Sequence, residues 1–340
     1  MKILVLGGTG VISRQIVNKA VEAGYDVTVF NRGMRANVEI PEGVKVVIGD
    51  RKDTADFEAK MKAIDVDVVI DMISFNVPDV KQLLDLFGER CKQIIVTSSS
   101  SAYDRPYKSY PVSEDKEVLT FDDSFAYGFN KAEMDRYLQS QMGKYSAGIT
   151  IIRPCLTFGE GTATVGMFRQ NKNIARRISQ GKPVVMLGEG VIPWSFTFAP
   201  DLAKAYVLAC CNENTYNDHF HVTNTEVVMW EDLYRAIGKI VGKEPNFVYV
   251  PSSLLRKAYP TVCTHLNYEK VHFAVLSNEK FQKAVPEYKP EITLEEGMKI
   301  VMNWWDKTGL PYDEEKEKIE DDICAAYYEF EKALLALGLE

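Results

Sequence analysis

The chain holds no C-x-x-C pair, and its six cysteines (Cys91, Cys155, Cys210, Cys211, Cys263 and Cys324) are scattered over 340 residues. A redox motif of that kind is excluded, the adjacent Cys210 and Cys211 read as apolar packing on a helix, and the usage suits free thiols in a reducing cytosol. No uninterrupted apolar run is long enough to span a bilayer, so no membrane partner is expected. The N-terminus lacks a signal-peptide pattern, because strand-like residues begin at Lys2 and glycine interrupts them at Gly7. A soluble, cytoplasmic protein is the expectation. Basic residues are not in excess either: 40 Lys and Arg against 48 Asp and Glu give a net charge of −8. General affinity for a nucleic-acid backbone rests on clustered Lys and Arg and is not expected here. Internal repeats and low-complexity linkers are also missing.

What is there is a rhythm. Over the first 155 residues, short β-branched runs ("KILVLG", "DVTVFN", "VKVVIGD", "DVVIDMI", "QIIVTSS", "ITIIRP") alternate with amphipathic segments. In "ISRQIVNKAVEAG" the residues Ile12, Ile16, Val17, Ala20 and Val21 fall on one helical face. Continuous apolar strands alternating with helices predict an α/β fold, a doubly wound parallel Rossmann sheet covered on both sides. Its ligand is expected at the carboxyl ends of the strands. The predicted dinucleotide-binding domain covers 1–158 and is joined again by about 195–225, with a helix near Asp201–Cys211 and the strand "HFHVTN". A smaller, mostly helical substrate lobe takes 159–194 and 226–340. It has one helix near Met167–Gln180 and an acidic helix from "DEEKEKIEDD", read as a solvated face.

Gly7, Gly8, Thr9 and Gly10 follow a strand and open a helix, the context in which a glycine-rich turn binds a pyrophosphate. Small residues let the backbone approach, and free N–H groups at the helix start, at Val11 and Ile12, point toward the anion. A third glycine of such a turn mainly serves helix–strand packing; Ser13 stands there, so packing should feel the change more than phosphate binding. About twenty residues on, an NAD site places Asp or Glu against the ribose 2′-hydroxyl, and an NADP site accommodates a 2′-phosphate with Arg. This chain has Asn31 and Arg32 and no carboxylate, which favours NADP and leaves NAD open. Asp50 and Arg51, ending the third strand, fall where the adenine would lie; a surface turn would read much the same.

The fifth strand ends in "VTSSSSAYD", and "FAYGFNKAEMDRYL" follows. Tyr127 and Lys131 are four apart on a helical pattern and share a face. A phenol whose pKa is lowered by a cation one turn away can exchange a proton with a sugar or alcohol hydroxyl, while a serine hydroxyl holds the substrate oxygen. Spacing alone does not decide, since Tyr312/Lys316 and Tyr328/Lys332 match it too. Only Tyr127 follows the fifth strand of the sheet. His219 and His221 lack a carboxylate or cysteine pattern to complete a metal site, and no metal is expected. Trp194, Phe196 and Phe198 alternate as in a strand and suit either a pocket wall or a core.

Taken together, "GGTGVIS", "TSSSSAY", "YGFNK", "IIRPCLTFGEG", "GEGVIPWSFTFAPDLAKA" and "FHVTN" resemble an extended short-chain dehydrogenase/reductase of the NAD-dependent epimerase/dehydratase family, over residues 1 to 225 at least. "NRG" and "WSFTF" look closest to bacterial relatives of the chloroplast stem-loop-binding proteins. The resemblance implies Tyr127 as general acid/base and Lys131 as its ribose-binding partner. It also implies Ser99 as catalytic serine, with Ser98 and Ser100 as fallbacks. Pro154, Leu156 and Thr157 would lie near the nicotinamide carboxamide, and Met72, Ile73 and Ser74 along the middle of the cofactor. Asp71-Met72-Ile73-Ser74 departs from the family's His-x-Ala-Ala. Ser100 and Ser101 replace the Asp–Glu pair of the dehydratases, which argues against 4,6-dehydration. What the resemblance implies is an NAD(P)-dependent epimerase or reductase acting on a hydroxyl of a sugar, expected to be a nucleotide sugar. The alternative is a non-catalytic, RNA-associated binding protein that retains the fold. A homodimer through the helices near Val80–Glu89 and Phe125–Met142 is a family-based expectation.

Overall fold

The computed structural model describes residues 1–35, 38–162, 168, 171, 173–310 and 312–338, with the backbone alone described at Asn267. The chain divides into two compact units: Met1–Thr157, Ser195–Thr225 and Val275–Ile292 form the first, and Phe158–Trp194, Glu226–Ala274 and Thr293–Glu340 the second. The stretch Val275–Ile292, assigned above to the C-terminal lobe, thus falls in the first unit.

In chain order the first unit begins β1 (Lys2–Leu6), α1 (Val11–Glu22), β2 (Asp26–Asn31), β3 (Lys45–Ile48), α2 (Thr54–Lys62), β4 (Val68–Asp71), α3 (Val77–Phe87), β5 (Gln93–Thr97), α4 (Ala126–Gln141) and β6 (Gly148–Pro154). The chain continues through β7 (Leu156–Phe158), α5 (Ile174–Gln180), β8 (Pro183–Leu187), β9 (Pro193–Trp194), β10 (Phe196–Phe198), α6 (Ala199–Ala209) and β11 (Asp218–Val222). Seven strands form one sheet in the order β11-β6-β5-β4-β1-β2-β3, with parallel pairings. The order reverses beside β1, so a crevice opens at the carboxyl ends of β1 and its neighbours. β1, β4, β5 and β6 are mostly apolar and, Lys2 apart, buried along their length because both faces are covered. On one face Ile16, Val17 and Ala20 of α1 meet Leu202, Tyr206 and Ala209 of α6. On the other, Phe57 and Met61 of α2 pack with Leu83 and Phe87 of α3 and with Met134 and Leu138 of α4. Edge strand β3 leaves Val46 and Ile48 exposed.

The second unit adds β12 (Val228–Met229), α7 (Trp230–Val241), β13 (Asn246–Val250), α8 (Ser252–Ala258), α10 (Leu294–Thr308) and α11 (Glu314–Leu335); α9 (Glu279–Ala284) belongs to the first. Its β13 pairs in parallel with β8. The helix expected over 167–180 is α5, beginning only at Ile174; Met167, Arg169, Gln170 and Lys172 lie outside the described residues. The acidic run is not wholly solvated. Glu317 and Glu320 turn inward, where Arg177 pairs with Glu317 at 3.0 Å and with Asp321 at 2.8 Å, and Glu320 accepts the Val185 N–H at 2.9 Å. A buried guanidinium needs such partners, so the run carries structure as well as charge. No helix among the described residues is long and apolar enough to cross a membrane.

Candidate active site

The glycine turn forms because two residues take positive φ, Gly7 at +122° and Gly8 at +80°. A Cβ on Gly8 would stand 2.3 Å from Val29 Cγ1, so the turn also lies hard against β2. At the start of α1 the Ser13 hydroxyl, itself buried, accepts the Gly10 N–H at 2.9 Å. Ser13 therefore closes the helix end from inside. The N–H groups of Val11 and Ile12, in the first turn, have no carbonyl within the helix.

Above this turn lies a cavity of about 1550 Å³ in the first unit. Gly7, Thr9, Gly10, Val11, Ile12, Asn31, Arg32, Asp50, Arg51, Met72, Ile73 and Thr157 line it, as do Met34, Arg35 and Phe75, which sequence reasoning did not name. Arg35 donates to the Thr9 carbonyl at 3.0 Å, and its signal was the second arginine of "NRGMR". Asn31 uses Oδ1 to accept the Gly33 N–H at 2.7 Å, leaving its buried Nδ2 without an acceptor among the described residues. A buried donor left unmet is costly, so this one is suited to an oxygen-rich ligand. Arg32 is exposed at the rim.

Arg51 lines the cavity wall, but its guanidinium faces protein. It donates to Asp71 Oδ2 at 2.8 Å, to Ser74 Oγ at 2.9 Å, to Gln82 Oε1 at 3.2 Å and to the Asp79 carbonyl. Asp50 caps its own turn by accepting the Lys52 N–H at 2.9 Å. Burial alone would raise the Asp71 carboxyl, but Arg51 and the Ser74 hydroxyl hold it below the usual carboxylate range. Ser74 itself is buried and is not among the residues lining the cavity.

Tyr127 and Lys131 stand one turn apart on α4. Gly128 between them lets the helix approach the turn at Ser100–Ala102, since a Cβ there would meet the Ser101 carbonyl at 2.5 Å. Ser99 caps that turn through its hydroxyl, which accepts the Ser101 N–H at 3.1 Å. Tyr127 is 38% exposed, whereas Lys131 is buried. The Lys131 ammonium donates to the carbonyls of Ser74 at 2.8 Å and Thr97 at 2.7 Å and lies 4.8 Å from the centre of the Phe75 ring. Burial brings its pKa down to about 8, against the pull of Asp71, Asp135 and Asp79 in the opposite direction. Among the remaining expected residues, Pro154 ends β6, and Leu156 and Thr157 belong to β7.

Behind the site, Arg153 is buried and grips Asp135 at 2.6 and 2.7 Å while donating to Tyr103 Oη at 2.8 Å. Tyr103 Oη also meets His221 Nε2 at 2.6 Å, and the Glu114 carboxylate accepts the His221 N–H at 2.6 Å. This network supports the strand ends. Among the described residues no group of three His, Cys, Asp or Glu gathers as a metal site would require. Trp194, Phe196 and Phe198 are all buried.

Residues 3–222 match the model of the NAD dependent epimerase/dehydratase family. The chain is 27% identical over 316 residues to the chloroplast stem-loop binding protein of 41 kDa b of Arabidopsis thaliana, covering 87% of this chain and 77% of that one. Its fold resembles a UDP-glucose 4-epimerase of Thermotoga maritima solved with UDP-glucose, at a TM-score of 0.74 and 22% identity, with 91% and 99% of the two chains covered. A UDP-glucuronic acid 4-epimerase of Bacillus cereus solved with NAD gives 0.71 at 19% identity, with 91% and 99% covered.

Proposed function

We propose, from the premise that this chain belongs to the NAD dependent epimerase/dehydratase family, that it is an epimerase or reductase acting on a hydroxyl of a nucleotide sugar through Ser99, Tyr127 and Lys131. The observation that carries the reading is the buried Lys131 one turn beyond the part-exposed Tyr127, on a helix packed against the turn that Ser99 caps. Bound dinucleotide would supply the hydride acceptor and donor. Tyr127 acts as the phenolate that the Lys131 ammonium favours; it takes the proton of the substrate hydroxyl and becomes the phenol. With a pKa of about 8, the amine keeps its proton at neutral pH. The Ser99 hydroxyl holds the substrate oxygen.

The residues present fit a dinucleotide. Val11 and Ile12 would bind the pyrophosphate with their N–H groups, Met72 and Ile73 would flank its middle next to the buried Ser74, and Asp50 and Arg51 would wall the adenine end. Pro154, Leu156 and Thr157 would meet the nicotinamide. Asn31 Nδ2 is a donor where an NAD site keeps an acceptor, and with Arg32 beside it the pair suits a 2′-phosphate, so NADP is the preferred form. The two UDP-sugar epimerases of like fold support a UDP-sugar as substrate. The Arabidopsis relative favours RNA binding as a second reading, against which stands a net charge of −8.

The test is interconversion of UDP-glucose, UDP-galactose and UDP-glucuronate followed by chromatography, with NADP(H) and NAD(H) in turn. Tyr127→Phe should lower turnover by about 100- to 10,000-fold while dinucleotide affinity stays near that of the unaltered protein. Unchanged turnover would remove Tyr127 from the mechanism. Absence of any turnover, together with tight binding of a stem-loop RNA, would favour the second reading.

A further inference from the structure

The residues after β4 and those after β3 lie some twenty positions apart in the chain, yet the fold joins them. Asp71, at the end of β4, accepts four hydrogen bonds through a fully buried carboxylate. Oδ1 takes the N–H groups of Ile73 at 2.8 Å and Ser74 at 2.9 Å, which closes the turn 71–74. Oδ2 takes the Ser74 hydroxyl at 2.6 Å and Arg51 Nη1 at 2.8 Å. The carbonyl of the same Ser74 accepts from the Lys131 ammonium at 2.8 Å. Asp71 is thus one residue removed, through a turn it closes itself, from the group that holds the lysine.

We propose that Asp71 is a positioning residue: clamped by Arg51, its carboxylate sets the Ser74 carbonyl against Lys131 and keeps that ammonium in place and charged. The second carbonyl on Lys131, that of Thr97 at 2.7 Å, comes from β5, so the Ser74 carbonyl is the one of the two that Asp71 can set. Other charges face the lysine as well. Asp79, at the start of α3, accepts the Phe75 N–H at 2.8 Å. Asp135, on the same helix as Lys131, is held by Arg153 at 2.6 and 2.7 Å. Among the described residues Arg51 is the cation that Asp71 itself holds, so loss of the carboxylate removes an anion and leaves the charge of Arg51, still bonded to Ser74, Gln82 and the Asp79 carbonyl, without its counter-ion. Both changes push Lys131 toward its neutral form. A protein whose Arg51 is so held also has no guanidinium to offer a ligand from that side.

The role rests on Lys131 being the lysine of the proposed site, but its test does not require turnover. In ligand-free protein labelled with 15N at lysine Nζ, the Lys131 resonance is identified by its loss in Lys131→Arg, and its titration is followed by pH. Asp71→Asn should lower the Lys131 midpoint by about one pH unit or more. Asn returns one oxygen to the turn but presents an amide to Arg51, so Asp71→Asn/Arg51→Gln serves if the single variant does not fold. The double variant should shift the midpoint in the same direction by a smaller amount. A folded single or double variant whose Lys131 titrates as before would overturn the proposal. If turnover of UDP-sugars is found, the acid side of its pH profile should move upward in Asp71→Asn, because Tyr127 loses the charge that favours its phenolate. A protein with no such turnover would sink the functional reading and leave the titration to decide Asp71 on its own.

Discussion

Replacing Gly8 by alanine separates two costs that the glycine turn avoids. The backbone at Gly8 has φ +80°, and the added Cβ would stand 2.3 Å from Val29 Cγ1 and 3.0 Å from Cγ2. An L-residue in left-handed conformation costs about 1–2 kcal/mol. Val29 is fully buried in the core under α1, so it cannot swing away, and overpacking adds about 1–3 kcal/mol. Gly8→Ala should therefore destabilise the first unit by about 2–5 kcal/mol. Gly24 supplies the control: its φ is +77°, but no atom lies within 4 Å of its would-be Cβ. Gly24→Ala should cost only the conformational part, about 1–2 kcal/mol. Urea unfolding gives the loss, and amide hydrogen exchange over β1 and α1 locates it. Adding Val29→Ala should relieve Gly8→Ala, so that the double variant is more stable than the two single losses together imply by about 1–3 kcal/mol. Strict additivity, or equal costs at Gly8 and Gly24, would refute the steric account.

Arg32→Ala should weaken NADPH by roughly tenfold or more and NADH far less, measured by fluorescence titration, because only the former loses a charge-assisted contact; an equal effect on both would refute the cofactor preference. Burial holds His221 well below its ordinary value and brings His219 down to about 4, with Arg153 adding to both effects. The unfolded chain takes up these protons near 6.5 and the folded one does not. Stability is thus full above about pH 6.5 and falls toward about pH 4, by up to about 1.4 kcal/mol per pH unit per histidine. Urea unfolding between about pH 7.5 and about pH 5 checks this, and His219→Gln should flatten the slope; a flat profile in the unaltered protein would contradict it. Burial pushes the thiols of Cys91 and Cys324 up to about 12 and that of Cys263 up to about 11. None of these three should react with iodoacetamide at neutral pH until the chain unfolds, and mass mapping of rapid labelling in native protein would show otherwise.

The sheet was legible from the residues alone. Mostly apolar strands, separated by amphipathic helices, have few other ways to bury both faces, and the alternation could be read from β1 to β6. The glycine turn was legible too, because two positive φ values beside a β2 side chain leave glycine little competition. The four-residue step from Tyr127 to Lys131 was equally legible, as one turn of α4. Contacts between segments far apart in the chain were not legible in this way. Arg51 reads as a cavity residue, yet its guanidinium belongs to Asp71 and Ser74, twenty and twenty-three positions away. Glu317 and Glu320 read as part of a solvated acidic face, yet Arg177 lies buried against them. Ser13 reads as a lost glycine, and only the helix geometry shows its hydroxyl taking the Gly10 N–H. Periodicity reports which face of an element is apolar. It carries no information on which distant charge will be folded against a given side chain, and that choice decides whether an arginine waits for a ligand or is already held.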